Sequence, residues 1–389
     1  MRIYLDHNAG SPMRPAVHDA IARVGAVVHG NPASIHRSGQ RARRALEQAR
    51  EQLATLLGAP PRGMVFTSGG TESNNLAIFG TAQGSGGKRR RIVTSAIEHS
   101  SVMAALSELE AHGLEVSRVA PDRDGRIDAE AMVAKIDNDV ALVTLGLVNA
   151  EVGTIQDVAA IAQASARAGA VFHLDAAQAV GRMAVRVADL GCDLMTLSGH
   201  KIGGPAGIGA LYVRPGLNLS PKMLGGPQES GLRAGTPNLI GAIGFGVAAA
   251  EVSSAIEDEC ARIAMLSEAL LKHLLRTIPD LRLNGPLHGR VANTLNLTFP
   301  GVLGESMLIA LDLEGVEISM GSACAAGAVE PSHVLTAMGR SAAEARSSLR
   351  ISLGWSTTAK EIAHAAEIIT RVWRRVASAE PAVEAEALR

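Results

Sequence analysis

Between residues 60 and 215, short apolar runs alternate with stretches whose apolar residues recur every three or four positions. The runs Met64–Thr67, Arg91–Thr94, Glu115–Val119, Ala141–Leu147, Val171–Leu174, Leu194–Leu197 and Ile208–Val213 read as strands. Between them, Glu72–Phe79, Ser101–Ala111, Ala129–Ile136 and Val158–Ala168 carry the helical period. This alternation predicts an α/β fold with a mostly parallel central sheet and helices on both faces. From Val252 to Ile278 the apolar positions Val252, Ile256, Cys260, Ile263, Leu266, Leu270 and Leu274 step by three or four. One long amphipathic helix bridging two units is expected there. Beyond it, Thr294–Phe299, Val316–Ser319 and Leu349–Leu353 read as strands and Ala359–Ala377 as helical, the makings of a smaller α+β domain. The expected division is a large domain over residues 15–251 and a small domain built from 1–14 and 252–389.

With 389 residues the chain is long enough for two cores. A net charge of −1 carries no electrostatic footprint for nucleic acid or an anionic membrane, so neither is expected as a partner. The basic clusters at Arg41, Arg43 and Arg44 and at Lys88–Arg91 read as solvated faces. No apolar stretch is taken to reach the ~20 residues of a membrane span, and Met1-Arg2-Ile3 opens no signal peptide. A soluble, cytoplasmic protein is expected. The three cysteines, Cys192, Cys260 and Cys324, are too few and too scattered for a disulfide framework or a CxxC metal site, and no metal is expected.

Six lysines are present: Lys88, Lys135, Lys201, Lys222, Lys272 and Lys360. Only Lys201 follows an apolar strand and opens a turn of small residues, Gly199-His200-Lys201-Ile202-Gly203-Gly204. Delivered to the mouth of a sheet, such an amine is partly desolvated, which lowers its pKa and suits a nucleophile. Phe66 to Asn75 reads as strand, glycine turn (Gly69-Gly70-Thr71) and helix start, a place where free backbone N–H groups receive a phosphate. Asp175 ends another apolar strand, where open α/β sheets bind ligands; it suits a pyridinium nitrogen, or else a helix N-cap. Glu98-His99-Ser100 follows a third strand and brings an imidazole to the same edge. A phosphate cradle, a strand-end aspartate, a strand-end lysine and a nearby histidine together match one cofactor, pyridoxal 5′-phosphate.

The chain resembles the NifS/IscS-type cysteine desulfurases of the class V aminotransferase group. The likeness is carried by Tyr4-Leu5-Asp6-His7-Asn8-Ala9, Gly30-Asn31-Pro32-Ala33-Ser34, Gly69–Asn75, Glu98-His99, Asp175–Gln178, Ser198–Lys201, Arg233–Thr236, Gly321–Cys324 and Arg350–Gly354. The resemblance implies the fold-type I architecture of pyridoxal-phosphate transferases. It implies that Lys201 is the Schiff-base lysine, that Asp175 pairs with the ring nitrogen and that Gln178 and Asn149 bond the ring hydroxyl side. His99 would stack on the ring and shuttle protons, while Gly70, Thr71, Ser198 and His200 would hold the phosphate. Thr236 would reach the phosphate of the other subunit, implying a homodimer with shared sites. Alternation with Leu349 and Ile351 turns the Arg350 guanidinium away from the core, which by itself reads as an exposed strand arginine; the resemblance implies that it binds the substrate carboxylate. Asn31 is a weaker candidate for that anchor, and Asn149 is a further substrate contact.

Cys324 lies in a run of small residues from Ser319 to Ala328, while Cys192 and Cys260 read as small buried thiols. The implied reaction converts L-cysteine to L-alanine and leaves the sulfur as a persulfide on Cys324, for a sulfur-acceptor protein in iron–sulfur cluster or thio-cofactor biosynthesis. The chain departs from the family pattern at Gly10, Ser11, Gly70, Ala150, Gly203, Ala206, Pro227 and Ser230. The longer C-terminal extension that housekeeping members use to dock a scaffold is not expected here. Alternatives are a selenocysteine lyase, another class V aminotransferase or lyase, or a catalytically weak sulfur carrier or regulator.

Overall fold

A computed structural model describes residues 2–320 and 330–379. In chain order its strands are β1 (Ile3–Tyr4), β2 (Met64–Thr67), β3 (Arg91–Ser95), β4 (Glu115–Val119), β5 (Val140–Gly146) and β6 (Val171–Asp175). They continue with β7 (Leu194–Ser198), β8 (Gly209–Val213), β9 (Arg282–Asn284), β10 (Thr294–Thr298), β11 (Val316–Glu317) and β12 (Ser348–Ser352). The central sheet has seven strands in the order β2-β8-β7-β6-β5-β3-β4, parallel throughout except for β8. The expected mostly parallel, helix-flanked sheet is therefore present. Its inner strands β6 and β7 are buried along nearly their whole length, as strands covered on both faces must be.

Register is what makes this sheet a platform. Gly146 stands opposite Asp175, and Asp175 opposite Thr196, so β5, β6 and β7 end side by side. The chain leaves these ends and the end of β3 through the turns that carry Asn149, Asp175, Lys201 and His99. Helix Gly70–Gly84 starts directly after β2. Its N-terminal turn packs on β8 so closely that a Cβ on Gly209 would sit 2.6 Å from the Gly69 carbonyl carbon.

The long helix runs over Leu239–Thr277, 39 residues, starting well before Val252; Asn238 caps it by accepting from Gly241 N. Its first half is long and apolar enough to span a membrane by length and composition, contrary to the sequence expectation. Here it is a core helix packed on helices Pro15–Val27 and Arg37–Leu57. Gly246 permits this, since a Cβ there would meet Ala49 Cα at 2.7 Å. Two strands, β1 and β9, were not anticipated, and the strand expected over Val316–Ser319 stops at Glu317.

The two largest of the four apolar clusters are one around the central sheet and one that joins Ile3 and Leu5 to Leu270, Phe299, Leu349 and Ile369. Val334, Leu335 and Met338, far along the chain, belong to the first cluster.

A buried ion pair ties the loop before the long helix to this platform. Arg50, on helix Arg37–Leu57, meets Glu229 at 2.8 and 2.9 Å, and Glu229 also accepts from Phe66 N at 2.8 Å. Removing one partner strands the other charge, so Glu229→Ala is expected to cost about 3–5 kcal/mol in chemical denaturation; a loss below about 1 kcal/mol would show that water reaches Arg50.

Candidate active site

Ten residues singled out in the sequence line one cavity of about 580 Å³: Gly70, Thr71, His99, Asn149, Asp175, Gln178, Ser198, His200, Lys201 and Arg350. Asn31 and Thr236 do not line it. Both are exposed, and the Asn31 side chain accepts from Ala33 N at 2.9 Å. Cys324 lies outside the described residues. Ser319 and His333, on the two flanks of that segment, both line the cavity.

Lys201 ends the short helical turn Gly199–Lys201 after β7. Its Nζ donates to the carbonyls of Asn8 (2.5 Å) and Ala9 (2.8 Å). Burial is the main cause that brings the amine down to about 8, helped by the positive charges of Arg182 and Arg350 and opposed by Asp6 and Asp175.

Asp175 closes β6 with a buried carboxylate that accepts from Asn74 Nδ2 at 2.8 Å and Ala177 N at 3.0 Å. No helix begins after it, so it is not a helix N-cap. His99 is one: it caps helix Ser100–Ala111, its Nδ1 accepting from Ser101 N at 3.1 Å. A backbone N–H can only donate, so Nδ1 carries no proton and the neutral ring bears its hydrogen on Nε2. Burial lowers the His99 pKa, which keeps that neutral form at pH 7. The Glu98 carboxyl beside it bridges Ser95 Oγ and Gly146 N, fixing the His99 turn to the ends of β3 and β5.

The cavity is also lined by the first residues of helix Gly70–Gly84 and by Ser198 and His200, whose Oγ and Nδ1 are 3.1 Å apart. The helix N-terminus, with these donors, suits a phosphate. Gln178 donates to Asn8 O at 3.0 Å, while its Oε1 is buried without a partner among the described residues. A phosphate cradle, an unspent acceptor on the wall, a strand-end carboxylate and a low-pKa lysine fit a phosphorylated hydroxypyridine aldehyde. Asn149 is largely committed to the protein: Oδ1 accepts from Glu151 N and Val152 N, and Nδ2 donates to Ile97 O, leaving one amide hydrogen.

Arg350 does face away from the apolar side of β12, as its alternation suggested, but it is only 5% exposed. Its fork meets Asp6 Oδ1 at 2.8 Å and Ala150 O at 3.3 Å, and Nε has no partner among the described residues.

Sequence reasoning gave no roles to Asn8, Ala9, Asn74, Glu98 or Asp6. The segment Tyr4–Ala9 stood out only as a family match, since backbone carbonyls leave no trace in residue type. Two departures have local explanations: Ser11 Oγ pairs with His7 Nδ1 at 2.8 Å, and Gly203 sits at φ +80°, where a side chain is strained. At Gly70 an added Cβ would make only ordinary contacts, 3.6 Å to Ser198 Cβ. Cys192 is buried and its thiol is pushed up to about 12, whereas Cys260 is only half-buried.

In cofactor-free protein Lys201 should react with an amine-directed label half-maximally near pH 8, against about 10.4 for ordinary lysines. Labelling read by peptide mass spectrometry across pH checks this; a midpoint near 10 would mean the amine is solvated.

The sequence profile of the family described as Aminotransferase class-V matches residues 3–364. Cysteine desulfurase IscS of Dictyoglomus turgidum is 38% identical over 379 residues, 97% of this chain and 96% of that protein. A solved NifS-like protein from Rickettsia africae is 33% identical with a TM-score of 0.87, over 96% of this chain and all of that one. A structure described as SspA in complex with cysteine is 36% identical with a TM-score of 0.80, over 90% of this chain and 98% of that one. The chain belongs to the class-V aminotransferase family, in its IscS/NifS cysteine desulfurase branch.

Proposed function

We propose that the protein is a pyridoxal-phosphate-dependent cysteine desulfurase. It converts L-cysteine to L-alanine and holds the sulfur as a persulfide on Cys324 for an acceptor protein of iron–sulfur cluster or thio-cofactor biosynthesis. The observation that carries the reading is the convergence of Lys201, Asp175 and Arg350 on one cavity flanked by both ends of the Cys324 segment. Relatives that match nearly the whole chain bear the desulfurase name, which disfavours the lyase and carrier alternatives.

Lys201 would hold the cofactor covalently, Asp175 its ring nitrogen, Gln178 and Asn149 its hydroxyl side, and Gly70, Thr71, Ser198 and His200 its phosphate. The bound cofactor supplies an electron sink that makes the substrate α-hydrogen acidic. Arg350 binds the substrate carboxylate, offering charge and a planar fork. Once free, the Lys201 amine takes the α-proton: with a pKa near 8, a useful fraction is unprotonated at neutral pH. The neutral His99 ring offers Nε2–H as a proton donor at the same wall. Cys324 Sγ forms an S–S bond to the substrate sulfur as the carbon–sulfur bond breaks and the carbon gains a proton. The thiol of cysteine thereby becomes the outer sulfur of the persulfide, and alanine leaves.

The exposure of Thr236, and of the apolar Met223, Leu224 and Ile240 around its segment, supports a homodimer in which Thr236 serves the partner's phosphate site. Residues 15–251 are taken as the large cofactor-binding domain, and 1–14 with 252–389 as the small domain. A soluble cytoplasmic setting is part of this reading.

Cys324→Ala should keep the bound cofactor and respond spectrally to L-cysteine, yet form neither persulfide nor alanine above a few per cent of the parent rate. Alanine release at the parent rate would reject Cys324 as the sulfur acceptor.

A further inference from the structure

Beside the Arg350 fork stands a carboxylate, Asp6, that does not itself line the cavity. Arg350 and Ala150 line the cavity; Asp6, paired to Arg350 at 2.8 Å, does not. The two side chains are 6% and 19% exposed, so water screens the pair weakly. Both ends of the contact are braced by backbone. Asp6 bridges Ser352 in parallel register, and its carbonyl accepts from Tyr4 OH at 3.0 Å. Arg350 exchanges both backbone hydrogen bonds with Ser319, at 2.6 and 3.1 Å. The guanidinium therefore has a fixed root and a fixed anionic partner at one corner. Its Nε–H has no partner among the described residues.

We propose that Asp6 is the positioning residue of the substrate anchor: it grips one corner of the Arg350 guanidinium and so presents the fork to an α-carboxylate entering the cavity. A long arginine side chain loses rotamer freedom whenever it is held in one geometry. Asp6 imposes that loss before substrate arrives, so binding the carboxylate does not incur it again. Asp6 also supplies a counter-charge to a guanidinium that would otherwise be buried without one. Since Asp6 lies off the cavity wall, it holds the fork without occupying the space the substrate needs.

The inference rests on the reading of Arg350 as carboxylate anchor, and one set of variants separates the two. L-Alanine binding to holoenzyme by calorimetry, and KM and kcat for L-cysteine, would be measured for Asp6→Asn, Asp6→Glu, Arg350→Gln and the Asp6→Asn/Arg350→Gln double variant. Asp6→Asn is expected to weaken alanine binding and raise KM by about tenfold, with kcat falling far less. Asp6→Glu, which keeps the charge, should recover part of the loss, and the double variant should bind no more weakly than Arg350→Gln alone. Unchanged or tighter binding in Asp6→Asn, beside a clear loss in Arg350→Gln, would overturn the role of Asp6 and leave the anchor standing. Losses that simply add in the double variant would also overturn it. No effect of Arg350→Gln would instead remove the anchor itself.

Discussion

Two backbone carbonyls, those of Asn8 and Ala9, hold the Lys201 amine, and the strap they belong to organises most of what surrounds it. Asn8 O also accepts from Gln178, and His7 O accepts from Arg182. The Asn8 side chain is fixed in turn by Ala150, Thr294 and Asn293. The strap enters from β1, beside the smaller of the two largest apolar clusters, and reaches the edge of the central sheet. Its carbonyls face donors from the turns after β7 and β6, and its Asp6 carboxylate faces β12. A displacement of this strap would therefore move the lysine, the wall amide and the arginine together.

Burial is the second organising influence, and it strips charge from much of the cavity. It pushes Glu98 up to about 8 and brings His173 and His200 down to about 4. His7, within the strap, falls to about 3. At neutral pH these groups serve as hydrogen-bonding parts. His173 shows the arrangement clearly, spanning Thr144 and Thr196 on the strands either side of β6. The field in the cavity is thereby left to a few charges, with Arg182 and Arg350 both lowering the Lys201 pKa. A lysine poised between protonation states needs such a setting, because in water its amine would stay charged.

Much of this was legible in residue order. Val171–Leu174 and Leu194–Leu197 match β6 and β7 to within one residue, because fully buried parallel strands are continuous apolar runs bounded by turn residues. The long helix was underestimated for the opposite reason. Its first part, Leu239–Val252, is apolar or small at every position but Glu251 and so lacks the polar face that marks a helical period. Arg350 was placed on the correct face of its strand, but the strand pattern could not show that this face is covered, since only docking against residues near Asp6 and Ala150 buries it.

Lys201 and Asp175 were visible in the sequence because their positions follow from local rules: a strand's end and the turn after it are set by neighbours in the chain. What those groups touch was decided only by the tertiary structure. Asn74 reaches Asp175 across 101 residues, Lys201 reaches Asn8 across 193, and Asp6 reaches Arg350 across 344. No period or propensity links residues that far apart; their pairing follows from strand order in the sheet and from how the first residues pass between the two largest apolar clusters.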